Sequence, residues 1–196
     1  MARCAVFASG SGSNFEAIAT ALSGTPHSLE FLLCNKKSAF AVTRAEKLGI
    51  PTIHVSYLDR PREDAEQEIL SACLNHQVEL IALAGFMKLL TPSFLSRFQG
   101  TILNIHPSLL PRHAGVDALR RSFEAGDDEL GISIIQVDEG CDTGPIVFQT
   151  SFKRSPGDTL ESVAERIHQL EHEHYPRVVR EALNRIDQQG TSKKEA

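Results

Sequence analysis

The feature that most constrains this chain is an alternation of apolar, strand-like runs with amphipathic helical stretches that starts at its fourth residue. Cys4 to Ala8 reads as a strand, Asn14 to Leu22 as a helix, Leu29 to Cys34 as a strand and Ala39 to Leu48 as a helix. Pro51 to Val55 reads as a short strand and Arg62 to Asn75 as a helix. Val78 to Ala84 is continuously apolar, as expected of a central strand buried on both faces. Strands and helices in alternation predict an α/β fold: an open, doubly wound, Rossmann-like sheet, mostly parallel, with helices on both faces. The second half reads as mixed. A strand over Thr101 to Ile105 and a helix from about Gly115 to Glu124 lead to strands at Ile132 to Val137 and Pro145 to Gln149, which leaves room for an antiparallel pair around Asp142. A long helix starts near Thr159, capped by Asp158 or Thr159, and Pro176 is expected to kink or break it.

At 196 residues the chain buries a sizeable core unaided, and residues 1–186 read as one domain. The polar stretch 187–196 has nothing to bury and is expected to fray or be disordered. The net charge of -5, without a Lys/Arg run, argues against a partner held by bulk phosphate neutralisation, so no nucleic acid is expected. No apolar run approaches the ~20 residues of a membrane span, and Met1-Ala2-Arg3 leads straight into a strand, so the expected location is the cytoplasm, away from membranes. Cys4, Cys34, Cys73 and Cys141 have neither paired spacing nor neighbouring His pairs. They read as thiols in a reducing compartment, and no metal site is expected.

Chemistry concentrates in two loops. Leu103-Asn104-Ile105-His106-Pro107-Ser108-Leu109-Leu110-Pro111 puts Asn104 and His106 at the carboxyl end of a strand, because Pro107 cannot continue the ladder. Ligands of open α/β sheets bind at that end. Downstream, Asp138-Glu139-Gly140-Cys141-Asp142-Thr143-Gly144-Pro145 supplies a carboxylate. An amide facing an oxyanion, an imidazole moving a proton and a carboxylate orienting the imidazole suit acyl transfer to an amine. Taken singly, each residue has an ordinary reading as a cap or turn former. A third loop, Ala8-Ser9-Gly10-Ser11-Gly12-Ser13-Asn14, joins a strand to a helix N-terminus, where small residues let backbone amides approach a phosphate. It is neither a dinucleotide fingerprint, since Phe15 follows, nor a P-loop, since no Lys follows Gly12, and a plain glycine-serine turn remains the alternative.

Asn-x-His-Pro-Ser-Leu-Leu-Pro followed by Asp-x-Gly-x-Asp-x-Gly-Pro resembles the folate-dependent formyltransferases, and the likeness extends over about residues 3–180. The resemblance implies a formyl donor, 10-formyltetrahydrofolate, no metal, and catalysis by Asn104, His106 and Asp142. The branch it most resembles formylates the amine of glycinamide ribonucleotide in purine synthesis, so small molecules are the implied partners of a monomer or homodimer. Gly12, Ser13 and Asn14 fall on that branch's phosphate-binding segment and Glu171 on its amine contact. Arg62, Met87, Lys88, Leu89, Leu90, Asp138, Glu139, Gly140 and Cys141 fall on the folate side; without the resemblance, Met87 reads equally well as core, and Arg62 and Glu171 as solvated helix residues. The chain departs from the family pattern at Asp117, Leu119 and Ile135, where histidines are common, and His168 stands where some relatives carry a phosphate-binding lysine. Its Gly131 to Gly144 stretch is more similar to methionyl-tRNA formyltransferase. Three alternatives therefore stand: a formyltransferase with another acceptor, a formyltetrahydrofolate hydrolase, or a catalytically silent folate- or nucleotide-binding module.

Overall fold

Residues 1–192 are described by the computed structural model. The strands are β1 Arg3–Ala8, β2 Ser28–Cys34, β3 Thr52–His54, β4 Leu80–Leu83, β5 Thr101–His106, β6 Glu129–Gln136 and β7 Ile146–Lys153. The helices are α1 Ser13–Leu22, α2 Phe40–Leu48, α3 Arg62–Asn75, α4 Pro92–Arg97, α5 Ala118–Glu124 and α6 Leu160–Ser192. All seven strands join one sheet in the order β3-β2-β1-β4-β5-β6-β7. The first five are parallel, whereas β6 runs antiparallel to β5 and β7 antiparallel to β6. This is the expected doubly wound α/β fold with an antiparallel C-terminal pair.

Side chains alternate across a strand, so β1 feeds two cores. Cys4, Val6 and Ala8 pack with Phe15 and Ile18 of α1 and Val163 and Ile167 of α6. Ala5 and Phe7 face the opposite way, onto Ile69 and Leu70 of α3 and Phe94 of α4. Each large side chain so buried contributes roughly 1.5–3 kcal/mol. The two-layered cover explains why the central strands carry no polar alternation. Because β1 lies between β2 and β4, the connections leave it in opposite directions, and a crevice opens at the carboxyl ends of β1 and β4.

Several local expectations are corrected. Helix α4 was not anticipated, although Thr91-Pro92 is a start signal: the Thr91 hydroxyl accepts the Phe94 amide at 3.2 Å. Helix α5 starts at Ala118 rather than near Gly115, because Asp117 is left-handed (φ 55°) and the Gly115 amide is drawn to Asp142. Strand β7 runs on to Lys153, where Phe148 and Phe152 still pack against the core. Thr159, not Asp158, caps α6, in a reciprocal pair with Ser162 (3.0 and 3.2 Å). Asp158 instead holds Arg166 and the Ser155 amide.

Pro176 does not break α6. Proline removes one helical hydrogen bond, but Tyr175, Val178 and Val179 around it are buried, and these contacts keep the helix continuous through the defect. Tyr175 is fully buried, and its hydroxyl lies 3.0 Å from both the Leu83 and Leu103 carbonyls, fastening α6 to β4 and β5. Helix α6 runs on through residue 187 as far as Ser192, and Asp187 pairs with the Met1 amino group. Residues 193–196 lie outside the described residues. Among the described residues no helix is long and apolar enough to cross a membrane.

Candidate active site

Strand β5 delivers Asn104 and His106 at its carboxyl end, on the same face two residues apart, and the β6–β7 loop brings Asp142 to them. Asp142 Oδ1 accepts the Asn104 amide N–H at 3.2 Å, and Oδ2 lies 3.3 Å from His106 Nδ1. Oδ2 also accepts the Gly115 backbone amide at 2.8 Å. His106 is 5% exposed, and its other ring nitrogen, Nε2, lies 3.1 Å from the His113 carbonyl. Both ring nitrogens therefore face oxygen acceptors, and a neutral imidazole has one N–H to give. Only the doubly protonated ring donates to both. Asn104 uses one N–H on Asp142 and has a second for a ligand. Asp142 itself sits at φ 56°, a conformation that non-glycine residues adopt at a cost and that recurs at functional sites.

The rigidity of this arrangement comes from residues that sequence reasoning missed. Ser133, the β6 partner of His106, donates to the Ser108 carbonyl at 2.7 Å and accepts the Leu110 amide at 3.0 Å. Gln149 on β7 donates to the Ser133 hydroxyl at 2.8 Å and to the Leu110 carbonyl at 3.1 Å. Together they fasten the loop after His106 to the antiparallel strands. Polar residues inside an apolar strand such as Ile132-Ser133-Ile134 were the available signal.

A second cluster forms across α1 and α6. Gly12 caps α1 in a left-handed conformation (φ 74°), and a Cβ there would come within 2.6 Å of Ala41. Its glycine is thus required by the fold as well as suited to an anion. Asn14 donates to Glu171 Oε2 at 3.0 Å, joining the first helix to the last. Glu171 is 7% exposed, and burial pushes its carboxyl above the usual carboxylate range, against the opposing pull of Asn14 and His168. Arg44, a residue not foreseen, donates to the Ser11 carbonyl at 3.0 Å and pairs with Glu16, fixing a guanidinium beside the glycine-serine loop. His168 and His172 stack one turn apart on α6, 6.3 Å between ring centroids, and loss of solvent followed by the charges of His168 and Arg44 holds His172 below the ordinary imidazole range.

The remaining predicted residues lie on the loops after β4 and β6 and at the start of α3. The Ser9 hydroxyl accepts the Met87 amide at 2.9 Å, tying the β1 loop to the β4 loop. Met87 (66% exposed) and Leu89 (58%) turn outward, whereas Leu90 is buried in the core with Phe94. The Lys88 ammonium lies over the Tyr57 ring at 5.5 Å, and Arg62, exposed at the start of α3, is close enough to act on the same phenol. Asp138, Glu139, Gly140 and Cys141 form the exposed loop leading into Asp142, where Asp138 accepts from the Gly140 amide (3.0 Å) and the Thr143 hydroxyl (2.7 Å). Cys141 is raised by partial burial and by the Asp142 charge, which disfavours a thiolate. Among the described residues no cluster of three or more His, Cys, Asp or Glu side chains could hold a metal ion.

The sequence pattern of the formyl transferase family matches residues 2–179. The chain belongs to the formyl transferase family. Within this family it is 45% identical over 186 residues to phosphoribosylglycinamide formyltransferase of Bacillus subtilis (strain 168), covering 93% of this chain and 95% of that protein. It is 41% identical to the trifunctional purine biosynthetic protein adenosine-3 of Chironomus tentans over 91% of this chain, which spans 13% of that longer protein. The crystal structure of glycinamide ribonucleotide transformylase 1 from Geobacillus kaustophilus superposes with a TM-score of 0.88 at 45% identity, covering 93% of this chain and 99% of that one. The residues that converge on β5 are thus set in a formyl transferase scaffold matched nearly end to end.

Proposed function

We propose that this formyl transferase moves the formyl group of 10-formyltetrahydrofolate to the amine of glycinamide ribonucleotide, a step of purine biosynthesis carried out in the cytoplasm. The observation that carries the reading is the meeting of Asn104, His106 and Asp142 at the end of β5. The near full-length likeness to phosphoribosylglycinamide formyltransferase supports the choice of acceptor. The substrate's phosphate sits on the amides of Gly12, Ser13 and Asn14 at the start of α1, with the Arg44 guanidinium beside the loop. Glu171, held by Asn14, receives the amine; its raised carboxyl is a better proton acceptor than an ordinary one. The folate lies along Met87, Lys88, Leu89 and the backbone of Leu90, with Asp138, Glu139, Gly140 and Cys141 opposite and Arg62 at the outer rim.

The neutral amine attacks the formyl carbon. The remaining N–H of Asn104 and the charged ring of His106 stabilise the oxyanion that forms. The carbon–nitrogen bond to folate then breaks: the proton that the attacking amine loses passes to the departing folate nitrogen by way of His106, whose Nε2–H leaves the His113 carbonyl to deliver it. Tetrahydrofolate and formylglycinamide ribonucleotide are the products, and atoms balance without a metal or redox partner. The reading assigns these steps to this one domain, acting as a monomer or homodimer. The test is steady-state turnover with glycinamide ribonucleotide beside its dephosphorylated form and beside unrelated amines. The reading requires kcat/KM to be highest for the ribonucleotide and to drop by orders of magnitude without the phosphate. Equal rates for all amines would overturn it.

A further inference from the structure

The segment His113 to Val116 lies as a strap across His106, and the way it is fastened is unusual. His113, Gly115 and Asp117 all have positive φ (57°, 88° and 55°), and two of these are not glycine, so the strap does not hold its shape by local preference. One side chain gathers it. Arg121 Nη2 donates to the His113 carbonyl at 2.7 Å and to the Ala114 carbonyl, and its Nε donates to the Val116 carbonyl at 3.0 Å. Arg121 makes no ion pair among the described residues, whereas its neighbour Arg120 takes the ordinary helical pairing with Glu124. A planar guanidinium with five N–H groups matches a fan of carbonyls that a lysine cannot span.

The His113 carbonyl that Arg121 holds is the same one that faces His106 Nε2 at 3.1 Å. A carbonyl oxygen has two lone pairs, so it serves both groups at once. From the other side Asp142 grips the strap by the Gly115 amide while facing His106 Nδ1. The charged groups around the ring are therefore Asp142 from the β6–β7 loop and Arg121 from α5. Asp127 lies behind the strap, facing the His113 side chain at 2.9 Å and Arg112 at 3.3 Å. We infer that Arg121 is a positioning residue for His106, closing the strap so that the His113 carbonyl fixes the imidazole against Asp142. This rests on the reading of His106 as the proton-transfer group.

Without Arg121 the strap keeps its Asp142 and Asp127 contacts, but the carbonyl over Nε2 is free to drift. Small misplacements of a reacting group are costly, and a loss of about tenfold or more in kcat is expected for Arg121→Ala, with KM for either substrate changed less than about twofold. The spectroscopic readout is the His106 Nε2 ring proton in NMR spectra of the free protein. Held by the carbonyl, it should exchange slowly in the wild type and broaden into exchange with water in Arg121→Ala. Arg121→Lys, able to reach one carbonyl but not all three, should fall between them in both measurements. An unaltered ring proton overturns the proposal, whether kcat is unchanged or falls alongside a lower melting temperature, because the latter is what a purely structural arginine would do. The ring-proton comparison needs no substrate, so it stands even if the wild type fails to formylate glycinamide ribonucleotide, a failure that would instead sink the functional reading.

Discussion

Replacing Asp142 by asparagine keeps its size and shape but cannot keep its bonds. The carboxylate accepts on both oxygens: Asn104 on one, His106 and the Gly115 amide on the other. Asparagine offers one acceptor and one donor group. If its NH2 takes the place of Oδ2, it meets the Gly115 N–H and the imidazole; if it takes the place of Oδ1, it meets the Asn104 N–H. Either orientation sets donor against donor and removes the negative charge beside His106. General acid–base help of the kind His106 supplies is worth about 10²–10⁴-fold, or roughly 2.7–5.4 kcal/mol of barrier. A buried donor left unpaired costs about 1–3 kcal/mol of stability, which for a chain of 196 residues corresponds to a melting temperature lower by about 2–12 °C. Measured by tetrahydrofolate release under saturating substrates, kcat of Asp142→Asn should fall into that range while folate still binds by calorimetry. A kcat within threefold of wild type would refute the reasoning, as would a loss that disappears once the unfolded fraction is subtracted.

Further outcomes follow from burial. Because burial raises the Glu171 carboxyl in the folded chain, its ionisation opposes folding: the penalty is absent below the ordinary glutamate pKa and grows as pH rises from there toward the raised folded value. Glu171→Gln should therefore gain thermal stability over wild type at about pH 7 and match it at about pH 4, while losing acceptor turnover; a stability difference independent of pH would contradict this. Cys4 and Cys73 are pushed up to about 12, mainly by burial, and Cys34 is buried too, so a thiol reagent at neutral pH should label only exposed Cys141, and slowly, until the protein is denatured. Rapid labelling of a second thiol in folded protein would count against the packing described. Gly12→Ala, forced against Ala41 at a left-handed position, should lower the melting temperature by roughly 2–10 °C even without ligand, and an unchanged melting curve would show that the loop relaxes freely.

What the sequence made legible was what apolar periodicity and strand ends report. The run Val78 to Ala84 announced a central strand, and Pro107 announced where β5 stops and so where Asn104 and His106 stand. Less was legible where pairing decides. The Asn14–Glu171 bond joins residues 157 positions apart, and nothing local to either signals it. Arg121 lies in Leu-Arg-Arg-Ser, where two arginines look alike, yet one takes a surface glutamate and the other three backbone carbonyls. The start of α5 was misread because a strap held by Asp142 and Arg121 keeps Gly115 to Asp117 out of the helix. Of the kink or break expected at Pro176, the break does not occur: local chemistry argues for it, while the burial of Tyr175, Val178 and Val179 argues more strongly for continuity.

The most direct test of the central claim follows the formyl carbon itself. In a single turnover with enzyme in excess over [formyl-¹⁴C]-10-formyltetrahydrofolate and glycinamide ribonucleotide, the account predicts that the label moves into the ribonucleotide in amounts equal to the tetrahydrofolate formed, and that no transfer occurs when the ribonucleotide is omitted. Label recovered as formate, with tetrahydrofolate released at the same rate whether or not the ribonucleotide is present, would contradict it.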